Sequence, residues 1–275
     1  LSRHNRRHRR RSAAGRQPSA SPVAPASSAA SLRRPVTVLT YNIQGYGALV
    51  SRRYLDAITR VIETVQPDLV GLQEVHRGTW PARFEDQVEE LARRTGMEPW
   101  FGTTVSLGTG DHGNAVLARG KILSGEVTVL PGRMERRSLL TCQVELEDVK
   151  LDFMVTHLAA WGRLARTARS RQAEFIRGRL AGATAPTVLV GDFNAPPSAP
   201  ELGNFLGDDE VQLCGSPQES THRLMRQRID YICTCRAWDA VESRVLRTGP
   251  SDHFPVTAKL RLKEPAEPVA VAAAS

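Results

Sequence analysis

Cysteines, aromatic residues and long apolar runs are all scarce in this sequence. Four cysteines among 275 residues, Cys142, Cys214, Cys233 and Cys235, are too few and too irregularly spaced for a disulfide framework. Cys233 and Cys235 alternate along an expected strand, which points both thiols to one face as buried, inert groups. No run approaches the roughly 18 apolar residues that span a bilayer. The start of the chain lacks the apolar segment of a secretory signal. There is no phosphate-cradling Walker A loop, no Gly-x-Ser-x-Gly nucleophile elbow and no Cys/His cluster of the kind that holds zinc. No repeat at solenoid or propeller period is present.

The net charge of +8 and pI near 9.8 look at first like a nucleic-acid signature. They come from one end. Residues 1–34 carry nine arginines and no acid, and without them 28 basic residues face 29 acidic ones. The rest is therefore close to neutral. Residues 1–34, built from Arg, Ser, Ala and Pro, read as a disordered arm, and residues 264–275 as a disordered tail. The arm's composition suits an organelle transit peptide as well as a plain charged arm, so the compartment stays open. Between the ends, residues 35–263 run without a linker-like break and are expected to form one domain.

Within that region Val36–Tyr41 is a short β-rich run. Ser51–Val65 has helical periodicity, with Leu55, Ile58, Val61, Ile62 and Val65 on one face. Leu69–Leu72 reads as a buried strand, and Phe84–Arg94 as a helix closed by Gly96. Strands are expected at 115–117, 125–130, 139–146, 150–155, 187–190, 229–233, 241–246 and 256–262. A helix is expected at Arg166–Leu180. Strands outnumber helices, which sit between strand pairs, and this suits a layered α/β arrangement.

Polar residues capable of chemistry fall where these strands end. Asn42, Glu74, His157, Asp192 and Asn194 follow apolar runs, and Asp252 and His253 precede one. Strand ends are where a sheet presents groups to a cleft. Each residue alone is equally well explained as a solvated surface group, so it is the set that carries information. Phosphoester hydrolysis needs hard oxygen ligands for Mg2+, a group to orient and deprotonate water, and donors for the phosphoryl oxygens. Asp, Glu, Asn, His and Arg at these ends supply all three.

Seven segments then fall into a recognisable order: Thr40–Gly45, Gln73–Val75, Gly113–Arg119, Thr156–Leu158, Gly191–Pro196, Arg228–Ile232 and Ser251–Val256. Together they resemble the motif set of the exonuclease/endonuclease/phosphatase superfamily of DNase I-like enzymes, and they cover nearly all of the expected domain. The resemblance implies a four-layer α/β/β/α sandwich with a Mg2+ or Mn2+ site at one edge of paired sheets. It implies Glu74 as principal metal ligand, assisted by Asn42 and Asp252. Asp192 would orient or deprotonate the attacking water, with Asn194 holding that water or the phosphate. His253 would face the scissile phosphate, with Asp230 fixing its tautomer and charge. His157 matches a second phosphate-contacting histidine, for which Asp111 is a candidate carboxylate partner. Asn114 is expected to shape the backbone.

Arg166 and Arg169 would share a helix face and are candidates for substrate phosphate contacts, although an ordinary solvated face is the preferred explanation for this group of arginines. Trp161 either covers the cleft or packs on the sheet. The reaction class thus reads as metal-dependent phosphoester hydrolysis, of a phosphodiesterase or endonuclease-like kind. The substrate could be a nucleic acid, a phospholipid or inositol-phosphate headgroup at a membrane surface, or a small phosphate ester. A near-neutral domain poor in aromatics argues against a dedicated DNA-repair enzyme. A catalytically silent binding module of the same fold is the rival from outside enzymology, and the retention of Glu74, Asp192, Asn194, Asp252 and His253 argues against it.

Overall fold

Apolar alternation and turn chemistry produce, in a computed structural model describing residues 32–264 apart from Arg52, Met134 and Trp161, a chain of short strands interrupted by three substantial helices. In order these are β1 (Val36–Asn42), α1 (Gly47–Val50), α2 (Tyr54–Val65), β2 (Leu69–Arg77), α3 (Gln87–Thr95), β3 (Glu98–Ser106), β4 (Asp111–Ala118), β5 (Lys121–Val129), β6 (Ser138–Leu146), β7 (Val149–His157), α4 (Gly162–Ala181), β8 (Thr187–Asp192), α5 (Gly203–Leu206), β9 (Gln212–Leu213), β10 (Asp230–Thr234), β11 (Trp238–Val245) and β12 (Val256–Leu262).

Two six-stranded sheets result, ordered β11-β12-β1-β2-β4-β3 and β5-β6-β7-β8-β10-β9. Val38, Leu69 and Val116 of the first meet Leu140, Phe153, Val155 and Val190 of the second in the core between them. Alternation along each strand sends the intervening residues outward. Leu39, Val70 and Leu72 pack under Ile58 and Ile62 of α2 and Leu91 of α3. Leu139, Leu189 and Tyr231 pack under Ile176 and Leu180 of α4. The expected α/β/β/α sandwich is what forms. Asn114 works across its middle, donating from β4 to the Ser138 carbonyl of β6 at 3.2 Å.

Several boundaries differ from those the sequence predicts. The second helix starts at Gln87, not Phe84, because the Asp86 carboxylate caps it by accepting from the Val88 and Glu89 amides, each at 3.1 Å. Gly96 does close it, at φ 66°. β2 continues to Arg77 past a bulge between Leu72 and Val75, where Glu74 takes φ 57°. β3 is not among the expected strands: it contains Pro99, and a strand bearing proline is tolerated at an edge, which is where β3 lies. The short β9 is likewise unexpected. Leu32 packs against the inter-sheet core and Arg34 pairs with Asp68 at 2.5 Å, so the fold takes in the last residues of the expected arm. Residues 1–31 and 265–275 lie outside the described residues. No helix among the described residues is long and apolar enough to cross a membrane.

Topology gathers one end of the sheets. β1 runs parallel to β2 and β7 parallel to β8, and the Asn42 side chain at the end of β1 reaches Asp192 at the end of β8. His157 is in register with Asp192, and antiparallel β10 sets Asp230 opposite Asp192 from the other side. Gly191 lets β7 and β8 close here, since a Cβ at that position would run into the Thr156 carbonyl oxygen.

Candidate active site

The centre is built on one buried carboxylate. Asp192 Oδ2 lies 3.0 Å from Asn42 Nδ2, 3.4 Å from His157 Nε2 and 3.6 Å from His253 Nε2. Its Oδ1 accepts the Asn194 amide at 2.9 Å, a turn that holds Asn194 at φ 51°. Asn194 Nδ2 is in turn anchored on the Leu158 carbonyl at 3.0 Å. His253 is oriented by Asp230, whose carboxylate oxygens sit 2.9 and 3.1 Å from Nδ1. Ser251 ties this loop to β1, donating to the Asn42 carbonyl at 2.8 Å and accepting the His253 amide at 3.1 Å.

The same burial acts differently on each group. It pushes the Asp192 carboxyl upward, against which the His253 charge and the Asn42 and Asn194 hydrogen bonds work. Burial alone would lower the His253 imidazole, but Asp230 and then Asp192 outweigh it and hold it well above the usual histidine range. Burial also drives His157 far below that range, and Arg137, His253 and His112 push it the same way. The two imidazoles on one carboxylate are thus pushed in opposite directions, the kind of separation that acid–base chemistry uses.

Glu74 and Asp252 are half-buried at the mouth. Both act on the Tyr46 hydroxyl, whose pKa is raised by burial first and then by these two carboxylates. Asn42 Nδ2 also reaches Glu74 Oε1 at 3.0 Å, while its oxygen accepts the Gln44 amide at 3.1 Å. Asn42 thus meets the carboxylates through nitrogen, where an oxygen ligand is expected from sequence. Two sets of ligand atoms lie within 4.8 Å of one another among the described residues: Asp192, Asp230 and His253, and His222, Asp252 and His253.

Other expected contacts are made elsewhere. Asp111 does not partner His157: its carboxylate is held by Arg77 at 2.8 Å and Ser106 at 2.8 Å. Arg166 and Arg169 do share a face, but both turn to Glu201, at 3.5 and 2.7 Å. Trp161 lies outside the described residues. His222, whose ring centroid is 4.8 Å from that of His253, is not singled out by the sequence. It sits about thirty residues before its partner in a loop with no local signature, and a long-range bridge between the two residues brings it in.

Paired mixed sheets between helices, with histidines and carboxylates at one end, define a DNase I-like sandwich. The sequence profile of the Endonuclease/Exonuclease/phosphatase family matches residues 39–253, and the chain belongs to that family, whose members are phosphoester hydrolases. The endonuclease/exonuclease/phosphatase of Beutenbergia cavernae DSM 12333 is similar at 26% identity, over 84% of this chain and 72% of that one, with a TM-score of 0.71. D. rerio TDP2 complexed with single-strand DNA product shares the fold at 18% identity, over 82% and 99%, with a TM-score of 0.68. A Bacteroides thetaiotaomicron mannosyl-6-phosphatase does so at 19% identity, over 82% and 99%, with a TM-score of 0.66. No curated protein matches the chain.

Proposed function

We propose that this protein is a Mg2+- or Mn2+-dependent phosphodiesterase. The observation that carries the proposal is the Asp192 carboxylate oxygen shared by Asn42, His157 and His253. The donor set suits a hard cation: Asp192 and Asp230 in one cluster and Asp252 in the other supply carboxylate oxygens, and no cysteine belongs to either cluster. Glu74 and Asp252 would hold the ion, which would supply Lewis-acid stabilisation and a more acidic water. Asp192 would orient the attacking water and receive its proton. Charged His253 donates from Nε2 to a phosphoryl oxygen, neutral His157 donates to a second, and Asn194 holds the phosphate from the floor.

Hydrolysis of bis-p-nitrophenyl phosphate beside p-nitrophenyl phosphate tests this. Turnover should require Mg2+ or Mn2+, favour the diester, and disappear in His253→Ala. A blank result with these esters and with nucleic-acid and lipid panels, together with no metal binding by calorimetry, would leave the binding module as the better reading.

The fold does not choose the substrate, since a mannosyl-6-phosphatase and a TDP2–DNA complex share it. A second observation favours a substrate at a lipid surface. Large apolar side chains are exposed around the mouth: Tyr46 and Leu49 beside Trp80 (61% exposed) and Phe84, and Leu224 (83% exposed) with Met225 next to His222. Exposed Arg53 and Arg226 accompany them. Aromatic and aliphatic tips mixed with arginine suit an anionic bilayer interface better than base stacking, for which Leu and Met are of little use. Vesicles of phosphatidylcholine and phosphatidylserine should retain the protein in high salt. The double variant Trp80→Ser/Leu224→Ser should bind them at least tenfold more weakly, from roughly 1.5–3 kcal/mol per buried side chain. Binding that vanishes in salt, or is unchanged in the variant, would rule out insertion.

A further inference from the structure

The loop before β10 is fastened to the site with unusual completeness. Arg223 donates from its amide to the Asp252 carbonyl at 2.8 Å and from Nε to the Ser251 carbonyl at 2.6 Å. The Phe254 amide donates to the Thr221 carbonyl at 2.6 Å, and Thr221 Oγ1 accepts the Ile229 and Asp230 amides at 2.9 and 3.0 Å. Between these anchors His222 is buried, with its ring nearly perpendicular to that of His253 at an interplanar angle of 73°.

Two amides decide its tautomer. Leu224 and Met225 both donate to His222 Nδ1, at 3.2 and 3.1 Å. A nitrogen that accepts from two N–H groups carries no proton, so the ring proton is on Nε2. That Nε2 faces Asp252 Oδ2 at 3.7 Å. A protonated nitrogen has no lone pair for a metal, so His222 is not a ligand of the cluster it forms with Asp252 and His253. Its Nε2–H instead lies beside the Asp252 carboxylate, within ion-pair range but beyond the length of a direct hydrogen bond.

We infer that His222 is a positioning residue for Asp252: its Nε2–H, locked in direction by the turn at 222–225, aims the Asp252 carboxylate at the mouth and keeps it available to a divalent cation. The inference rests on the reading of Asp252 as a metal ligand. A ligating carboxylate supported by a neighbouring donor is a recurrent feature of metal sites, and loss of such support costs roughly 10–100-fold in metal affinity or activity.

Two substitutions divide the ring between its nitrogens. In His222→Asn, Oδ1 replaces Nδ1 and keeps the turn, but nothing replaces Nε2. In His222→Gln, the amide nitrogen replaces Nε2, while the acceptor for Leu224 and Met225 is lost. Mn2+ affinity by calorimetry and the melting temperature are read for both, beside the parent and Asp252→Ala. His222→Asn should melt close to the parent yet bind Mn2+ about tenfold more weakly. His222→Gln should melt lower yet bind more tightly than His222→Asn. Parent-like Mn2+ affinity in His222→Asn, with Asp252→Ala weakened, would overturn the inference alone. Parent-like affinity in both would remove Asp252 as a ligand and the inference with it. Losses that merely follow melting temperature would make His222 a turn cap only, which also overturns it.

Discussion

Asp192→Asn is expected to lower kcat by roughly 10²–10⁴-fold, the range of general acid–base contributions, and to lower the melting temperature slightly, because its amide nitrogen then faces the donor Asn42 Nδ2. The substitution keeps the size of the side chain and an oxygen for the Asn194 amide. It removes the basic oxygen on which Asn42, His157 and His253 converge, and with it one of the charges that keep His253 protonated. The pH dependence of stability changes as well. Burial raises the Asp192 carboxyl, so the folded chain keeps its proton to a higher pH than the unfolded chain does. The carboxylate therefore costs stability as pH rises through that window. His253, raised by its carboxylate partners, contributes stability that is complete below the ordinary histidine range and is lost as pH rises through its folded value. Both contributions decline with rising pH. Asparagine removes the first, so the stability of the variant should depend less steeply on pH. Thermal melts between about pH 5 and 9 check this alongside kinetics. Activity within about tenfold of the parent would mean that Asp192 serves the fold more than the reaction.

Most of this centre is legible in the sequence, for a physical reason. Strands buried on both faces are continuous apolar runs, so the polar residue that ends each run is conspicuous: Asn42 after the apolar part of β1, Asp192 closing β8, His157 closing β7. What sequence does not supply is partner choice. Asp111 lies close in sequence to the Gly113–Arg119 motif and is a plausible partner for His157, but Arg77 lies opposite it on β2 and takes the carboxylate. Arg166 is equally plausible as a substrate contact, yet Glu201, far along the chain, comes to lie under the same helix face. His222 has no periodic context at all. Each of these outcomes depends on long-range register or loop docking, and neither leaves a trace in local composition. The elements that escape prediction are of the same kind: β3 is an edge strand containing proline, and the start of α3 is hidden by an aspartate cap inside a polar stretch.

Asp230→Asn should separate the charge of His253 from its orientation. Asparagine can still offer an oxygen to Nδ1–H, so the tautomer with Nε2 toward Asp192 survives. The negative charge does not. Burial already lowers the His253 pKa, and Asp230 is the foremost of the groups that hold it up. Without that carboxylate the imidazole should lose its proton at a lower pH. If His253 acts as a charged donor to the phosphoryl group, the alkaline limb of kcat/KM moves down in pH. Activity then falls by roughly 10²-fold or more at about pH 8–9, while the acidic range is affected least. If His253 were instead the base that takes the proton from water, easier deprotonation would extend activity toward acid, and the acidic limb would move. The two roles predict shifts of different limbs in the same variant. A pH–rate series at fixed Mg2+, with the His253 ring followed by NMR titration, distinguishes them. An unchanged titration of His253 would show that Asp230 holds the ring in place without setting its charge, and the proton donor would then have to be sought in His157 or in Asp192 itself.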